Sequence, residues 1–129
     1  MREITSTVTI NRAAHKVFDF TLNPDNTPKY VASIVKEQAN ETPAKLGTIY
    51  KNQREDGSWS EYVITALEPN ALFVLSKKDG NLRVTYAFTP LGHYQCELKY
   101  YIGGDIGDLD AAFIEQVLQK LKAAIENEQ

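Results

Sequence analysis

Five side chains in predicted strands end in a hydrogen-bonding group, while the rest of each side chain can pack in a protein interior. They are Tyr50, Asn52, Tyr62, Tyr86 and Tyr100. Ligand sites are mostly apolar with a few placed polar groups, so this set suits a pocket that holds a small molecule by one or two hydrogen bonds. The alternative is that the rings fill a core and each hydroxyl finds a backbone partner or the surface. Seven tyrosines in 129 residues favour at least one reaching a cavity.

The histidines and the cysteine are weaker candidates for chemistry. His15 lies off the apolar stripe of its predicted helix, which indicates a solvent-facing side chain. His93 begins the predicted last strand, where it could reach a cavity rim and titrate near neutral pH, although turn histidines are more often exposed. Cys96 is predicted to face inward as a small hydrophobe, with no neighbouring base to activate it. No further ligand stands at metal-binding spacing from either histidine, so no metal site is predicted.

The acidic residues give no pair of carboxylates for acid–base catalysis. Most lie in predicted turns, at positions 55, 56, 79, 105 and 108, or at outward strand positions. Such catalysis needs two groups that meet in a cleft, which the pattern does not predict. The glycine-rich segment 103–107 lacks phosphate-loop spacing and is interpreted as a hinge. The sequence therefore names no catalytic residue.

The elements that must position these side chains begin with a strand and two short helices. Residues 2–10 alternate, with Ile4, Ser6, Val8 and Ile10 on one face, as in a half-buried strand. Asn11 is a suitable N-cap for a helix over 12–22. The Asn-Pro pair at 23–24 ends that helix and can open a second short one.

Six further strands and a long helix follow. The last segment, 108–127, carries an apolar stripe at helical spacing, with residue 108 as its expected cap. About 20 helical residues would extend about 30 Å, enough to cross a sheet. The fold class is α+β, in one domain over residues 1–129. The six predicted strands cover 34–39, 47–53, 59–67, 72–77, 82–89 and 93–102.

This order of elements resembles the START-like superfamily, also called SRPBCC, which includes polyketide cyclase/dehydrase and birch-pollen-allergen-like proteins. The resemblance implies a helix-grip fold, in which a seven-stranded curved antiparallel sheet wraps around the long C-terminal helix. It also implies an apolar cavity that opens near the two short helices, lined or gated by Phe18, Leu22, Pro28 and Tyr30. The chain departs from the family at Tyr30, often Trp, and at residues 13–14, where the consensus has proline. The matching segments are VTINRAAHKVF (8–18), NPDNTPKY (23–30), LGT (46–48), VITALEP (63–69) and YAFTPLG (86–92).

Strand alternation and the resemblance together predict which side chains line the cavity. Alternate residues of a strand share a face, so residues 84, 86 and 88 go together, as do 98 and 100. The full set of cavity candidates is Phe18, Leu22, Tyr30, Tyr50, Asn52, Tyr62, Ile64, Val84, Tyr86, Phe88, Leu98, Tyr100, Phe113 and Val117.

Composition excludes several classes of function. A net charge of −3 without a basic cluster argues against nucleic-acid binding. One cysteine cannot form an intrachain disulfide. No apolar run approaches the roughly 20 residues of a membrane span, and the N-terminus reads as a strand, not a signal segment. The chain is thus predicted to be cytoplasmic, without cofactor, without integral membrane association, and a monomer or weak homodimer.

Three functions remain open. The leading hypothesis is binding of a small hydrophobic or aromatic ligand between the sheet and the C-terminal helix. The second is a cofactor-independent cyclase or dehydratase of the polyketide type, which needs little beyond positioning and one or two polar groups. The third is an interaction module, similar to a co-chaperone or quinone chaperone, which an exposed apolar patch would favour.

Overall fold

A computed structural model describes residues 2–128. Met1 and Gln129, the ends of the predicted domain over 1–129, lie outside the described residues. The elements in chain order are β1 (Arg2–Ile10), α1 (Ala14–Leu22), a 3₁₀ helix (Pro24–Lys29), β2 (Ile34–Ala39), β3 (Ile49–Arg54), β4 (Trp59–Glu68), β5 (Leu72–Lys77), β6 (Arg83–Pro90), β7 (Cys96–Gly104) and α2 (Ala111–Glu126).

The seven strands form one antiparallel sheet in the order β1-β7-β6-β5-β4-β3-β2. The predicted α+β fold class and element order are confirmed. The last strand begins at Cys96, not at residue 93, because the backbone N–H of Leu91 bonds to the carbonyl of Gln95 across a turn. Gly57 and Gly80 have positive φ, as expected for the two Asp-Gly hairpin turns.

Strand β1 buries the face that its alternation predicts. Val8 and Ile10 are buried, and they pair in register with Leu98 and Cys96 of β7. Both partner strands therefore direct apolar side chains to the same side of the sheet.

Strand β2 contains an irregularity that the sequence does not reveal. Its register against β3 shifts between Ile34 and Lys36, so Val35 is an extra, exposed residue. A bulge of this kind breaks the alternation of side chains. As a result Ile34 and Glu37, three positions apart, both line the cavity of the sheet.

Both helices begin at residues other than those predicted. The N-cap of α1 is Ala13, which makes no side-chain capping bond, while the Asn11 amide oxygen accepts from Gln95 instead. The cap of α2 is Asp110, not Asp108, and its carboxylate accepts from the N–H of Phe113 at 2.9 Å. Both predicted caps are wrong, because capping depends on where the backbone turns helical and not only on residue type.

Side chains tie both ends of α2 to the β1 region. Arg2 donates to the carbonyls of Gly107 and Leu109, at 2.6 and 2.9 Å, just before the helix starts. Near its end, Lys122 donates to the carbonyl of Thr9 at 2.7 Å and to the carboxylate of Glu126 at 2.6 Å. These contacts hold α2 across the sheet, with a space between the two.

Candidate functional site

A cavity of about 200 Å³ lies between the sheet and α2. A cavity needs a volume of about 10–15 Å³ to hold one water molecule, and an apolar cavity of about 150 Å³ is known to bind benzene. The space is therefore large enough for a small aromatic molecule. Its walls come from the end of α1, the 3₁₀ helix and the segment after it, strands β2 to β7, the connection between β7 and α2, and α2.

Nine of the fourteen predicted cavity residues line this space. All nine lie on inward strand positions, on α2 or at the end of the 3₁₀ helix. They are Tyr30, Tyr50, Asn52, Tyr62, Val84, Tyr86, Tyr100, Phe113 and Val117.

The other five candidates, Phe18, Leu22, Ile64, Phe88 and Leu98, lie away from the cavity wall. The main reason is that α1 packs on β6 and β7, so the inward face of these strands divides between two helices. The ring of Phe18 packs edge-on against Phe88 at 5.5 Å, which closes that half of the sheet. Leu22 lies in a separate surface groove, and Ile64 is fully buried in β4.

The expected entrance residues do not line the opening of the cavity, although part of it lies just after the 3₁₀ helix. Partly exposed lining residues mark it, and they lie in segment 31–34, at the ends of β3 and β5 and in the β7–α2 connection. Arg54, Lys77 and Asp105 are the charged residues among them. Tyr30 is only 1% exposed and lines the inner wall, so a gate of Phe18, Leu22, Pro28 and Tyr30 is not what the fold forms.

Glu37 is the functional candidate that sequence reasoning missed. It lines the cavity at 9% exposure. Its carboxylate accepts a hydrogen bond of 2.6 Å from the Thr27 hydroxyl and a longer one of 3.5 Å from the Asn52 amide. Burial raises the pKa of Glu37 to about 7, although both hydrogen bonds act to lower it. A carboxyl group that titrates near neutral pH can donate or accept a proton inside the cavity.

Asn52 stands directly opposite Glu37 in the β2–β3 pairing. It is 4% exposed. Its Oδ1 is the one buried side-chain polar atom without a hydrogen-bond partner in residues 2–128. Buried polar atoms in native proteins are nearly always paired, so this unpaired acceptor is unusual.

An aromatic cluster forms another part of the wall. The rings of Phe73 and Tyr86 stack at 4.6 Å, and Tyr86 meets Tyr100 edge-on at 5.1 Å. Burial raises the pKa of Tyr30, Tyr86 and Tyr100 above the usual tyrosine value. Their hydroxyls stay protonated at neutral pH, and those of Tyr30 and Tyr86 lie close enough to interact with each other. Tyr50 instead donates to the carbonyl of Leu22 at 2.6 Å.

The comparison with known families agrees with this geometry. A family model described as polyketide cyclase / dehydrase and lipid transport matches residues 1–127. The chain belongs to this family. Family and fold together make it a domain of the START and polyketide-cyclase type, as the sequence resemblance implied. A search of curated protein sequences finds no match.

Solved structures show that this polyketide-cyclase-family chain has the helix-grip fold of the START superfamily. A START superfamily protein from Mycobacterium smegmatis is 11% identical with a TM-score of 0.78, covering 96% of this chain and 97% of that one. The Aha1 dimer from Colwellia psychrerythraea is 15% identical with a TM-score of 0.75, covering 98% of both chains. Norcoclaurine synthase from Thalictrum flavum, in complex with dopamine and hydroxybenzaldehyde, is 12% identical with a TM-score of 0.70, covering 99% of this chain and 88% of that one.

The residues considered for metal or thiol chemistry lie outside the cavity wall. His15 and His93 are exposed, and Cys96 is completely buried. Burial raises the pKa of the Cys96 thiol to about 11. Within residues 2–128, no three His, Cys, Asp or Glu side chains are placed to hold a metal ion. In the same range, no helix has the length and apolar character to cross a membrane.

Proposed function

We propose that this protein binds a small apolar or aromatic molecule in the cavity between the sheet and α2, acting as one START-like domain over residues 1–129. The observation that carries the proposal is the cavity itself, about 200 Å³ in volume and walled mainly by aromatic and aliphatic side chains. A mostly apolar cavity with a few convergent polar groups is the usual form of a small-molecule site. The bound dopamine and hydroxybenzaldehyde of the norcoclaurine synthase neighbour support an aromatic ligand.

Binding can be tested with 2-naphthol as the probe and with two phenylalanine variants of α2. Val117 is 3% exposed and lines the cavity, so Val117→Phe should fill the space and abolish binding. The matched control Gln119→Phe adds the same ring to the exposed face of α2 and should bind like the wild type. Both variants must first show cooperative thermal unfolding, since overpacking costs about 1–3 kcal/mol.

Two readouts should agree in this experiment. Probe fluorescence gives the Kd, and thermal unfolding gives the linked stabilisation, about 2.7 kcal/mol at one hundred times the Kd. If the wild type neither binds 2-naphthol nor gains stability from it, or if Val117→Phe binds equally well, the cavity is not the binding site proposed for it.

A second function is favoured by the single observation that Glu37 titrates near neutral pH inside the cavity. A carboxyl group with such a pKa suits general acid–base catalysis, and protonated tyrosines beside it could bind a carbonyl oxygen. These groups support a cofactor-independent cyclase or dehydratase of the polyketide type. Among the described residues, the large exposed hydrophobics lie on β2, on β4 and in two separate turns, which does not favour an interaction module.

The enzymatic function can be tested with a linear β-polyketone as substrate and mass spectrometry to detect loss of water. Glu37→Gln keeps the shape of the side chain but cannot transfer a proton, so turnover should fall at least about a hundredfold. A binding protein would show no turnover in the wild type, and a rate that Glu37→Gln leaves unchanged would exclude Glu37 as the acid or base.

A further inference from the structure

Two cationic side chains lie at the opening of the cavity. Arg54 is the last residue of β3 and Lys77 is the last residue of β5. Both line the cavity, and Arg54 is exposed while Lys77 is partly exposed. A molecule that enters the cavity can therefore meet both positive charges.

Strand pairing places these two cations on the cavity face, on either side of Tyr62. Tyr62 pairs with Tyr50 of β3 and with Lys77 of β5, and residues opposite each other in a pair share a face of the sheet. Arg54 follows the inward residues Tyr50 and Asn52 at alternate positions of β3. Burial raises the pKa of Tyr62, whereas the neighbouring guanidinium of Arg54 acts to lower it, which places Arg54 beside the Tyr62 hydroxyl.

Neither cation is neutralised by an acidic side chain. Within residues 2–128, no ion pair of 4 Å or less involves Arg54, Lys77 or Asp105. The carboxylate of Asp56, in the turn after Arg54, instead accepts hydrogen bonds from the hydroxyl and the N–H of Ser58 at 2.6 and 2.9 Å. With Asp105 as the one acidic residue beside them, the two cations leave an excess of one positive charge at the opening.

The interior of the cavity suits a different part of a ligand. Phe73 and Tyr86 present stacked rings, and Val117 adds aliphatic surface. A charged group on such a surface would lose its water without compensation, and an anion would also be repelled by Glu37 when that carboxyl group is ionised. An apolar body therefore fits the interior, and a negative charge fits only the opening.

We infer that the ligand of this cavity is an amphipathic anion, whose apolar body fills the interior and whose single negative group, such as a carboxylate, binds Arg54 and Lys77 at the opening. This inference rests on the proposed binding function and adds the charge of the ligand. The planar guanidinium can hold a carboxylate by two parallel hydrogen bonds, and the lysine ammonium adds a mobile point charge. An amine at the same place would meet two like charges.

The test compares three probes of nearly the same shape that differ in charge: 2-naphthoate, 2-naphthamide and 2-naphthamidine. At pH 6 the naphthoate is anionic and the naphthamidine is cationic, while Glu37 is mainly protonated. The wild type should bind the naphthoate about fivefold or more tightly than the naphthamide, and the naphthamidine most weakly. The difference should shrink in 0.5 M NaCl, because salt screens exposed charges.

Glutamine variants assign the preference to the two cations. Arg54→Gln and Lys77→Gln should each reduce the preference for naphthoate, and the double variant should bind naphthoate no more tightly than naphthamide. The matched controls are Arg83→Gln and Lys51→Gln, which remove the same charges from exposed strand positions outside the cavity wall. Both controls should keep the wild-type preference. All of these positions are exposed or partly exposed, so the variants should change stability little.

The outcomes separate this inference from the proposed function. A wild type that binds naphthamide or naphthamidine as tightly as naphthoate overturns the inference but leaves the binding function intact. A preference that the double variant retains, or that the control variants lose equally, also overturns the role given to Arg54 and Lys77. Absence of binding for all three probes refutes both the binding function and the inference.

Discussion

Glu37 shows how a buried carboxyl group is tolerated in a cavity wall that is made largely of aromatic and aliphatic side chains. Thr27 and Asn52 each donate to it, and these bonds lower its pKa, while burial raises the pKa more strongly and leaves it at about 7. The folded protein therefore binds this proton more tightly than the unfolded chain does, where the ordinary value is 4.5. Stability must then decrease as the pH rises between these two values.

Replacing Glu37 with glutamine should remove this dependence. Below about pH 4.5 the side chain is protonated in both states, so Glu37→Gln and wild type should have similar free energies of unfolding. Above about pH 7 the wild type carries the full cost of a buried charge, about 3 kcal/mol from the size of the pKa difference. The variant should thus be more stable by that amount at pH 8, as measured by urea unfolding.

Glu55→Gln is the control for this comparison, because Glu55 lies exposed in the β3–β4 turn. The same exchange of atoms at the surface should change stability by no more than about 0.5 kcal/mol. A Glu37→Gln advantage that is equally large at pH 4.5 and pH 8 would show that burial of charge is not its cause.

At the scale of the elements, α1 lacks a side chain that caps its N-terminus. Ala13 occupies the N-cap with extended backbone angles but has no side-chain acceptor for the free N–H groups of the first turn. The helix is held instead by its buried face, including Val17 and Phe18. Tertiary packing therefore compensates for a weak local signal.

Ala13→Ser should stabilise the protein by about 0.5–1 kcal/mol, because the serine oxygen can accept from an N–H of the first turn. The opposite change at α2, Asp110→Ala, removes an existing cap bond to Phe113 and should destabilise by about 1 kcal/mol. Urea unfolding of both variants measures the two effects. Equal shifts in the same direction would show that capping does not control either helix.

At the scale of the whole molecule, the end of α2 is fixed to the β1–α1 corner through Glu126. Its carboxylate accepts from the backbone N–H of Asn11 at 2.8 Å and from Lys122 at 2.6 Å. The hydrogen bonds from Lys122 and Asn11 lower the pKa of Glu126. Its contribution to stability is therefore present at neutral pH and lost on acidification through its lowered pKa, opposite in sign to that of Glu37.

Glu126→Ala should destabilise the protein by about 1 kcal/mol at pH 7, because two donors lose their partner near the surface. The exposed neighbour Glu128 provides the control, and Glu128→Ala should have little effect. Urea unfolding at pH 7 and pH 3 measures both variants. A Glu126→Ala deficit that persists unchanged at pH 3 would contradict the role given to the carboxylate.

The sequence by itself determined the order of the elements, the inward faces of most strands and nine of the residues around the cavity. The element order and the inward faces follow from local rules, since alternation in a strand and apolar spacing in a helix depend only on neighbouring residues. Tyr62, Tyr86 and Tyr100 were found in this way. The existence of a cavity, with Tyr30 at it, was instead implied by the family resemblance.

Only the tertiary structure decided the rest. The bulge at Val35 brings Glu37 inward beside Asn52, and register between strands is a property of the pair, which one strand's pattern does not encode. The division of the sheet between α1 and α2 likewise removes Phe88 and Leu98 from the cavity wall. The curved sheet and the long helix could be predicted from local patterns. The pairing of Glu37 with Asn52 could not, because it depends on which distant segments meet.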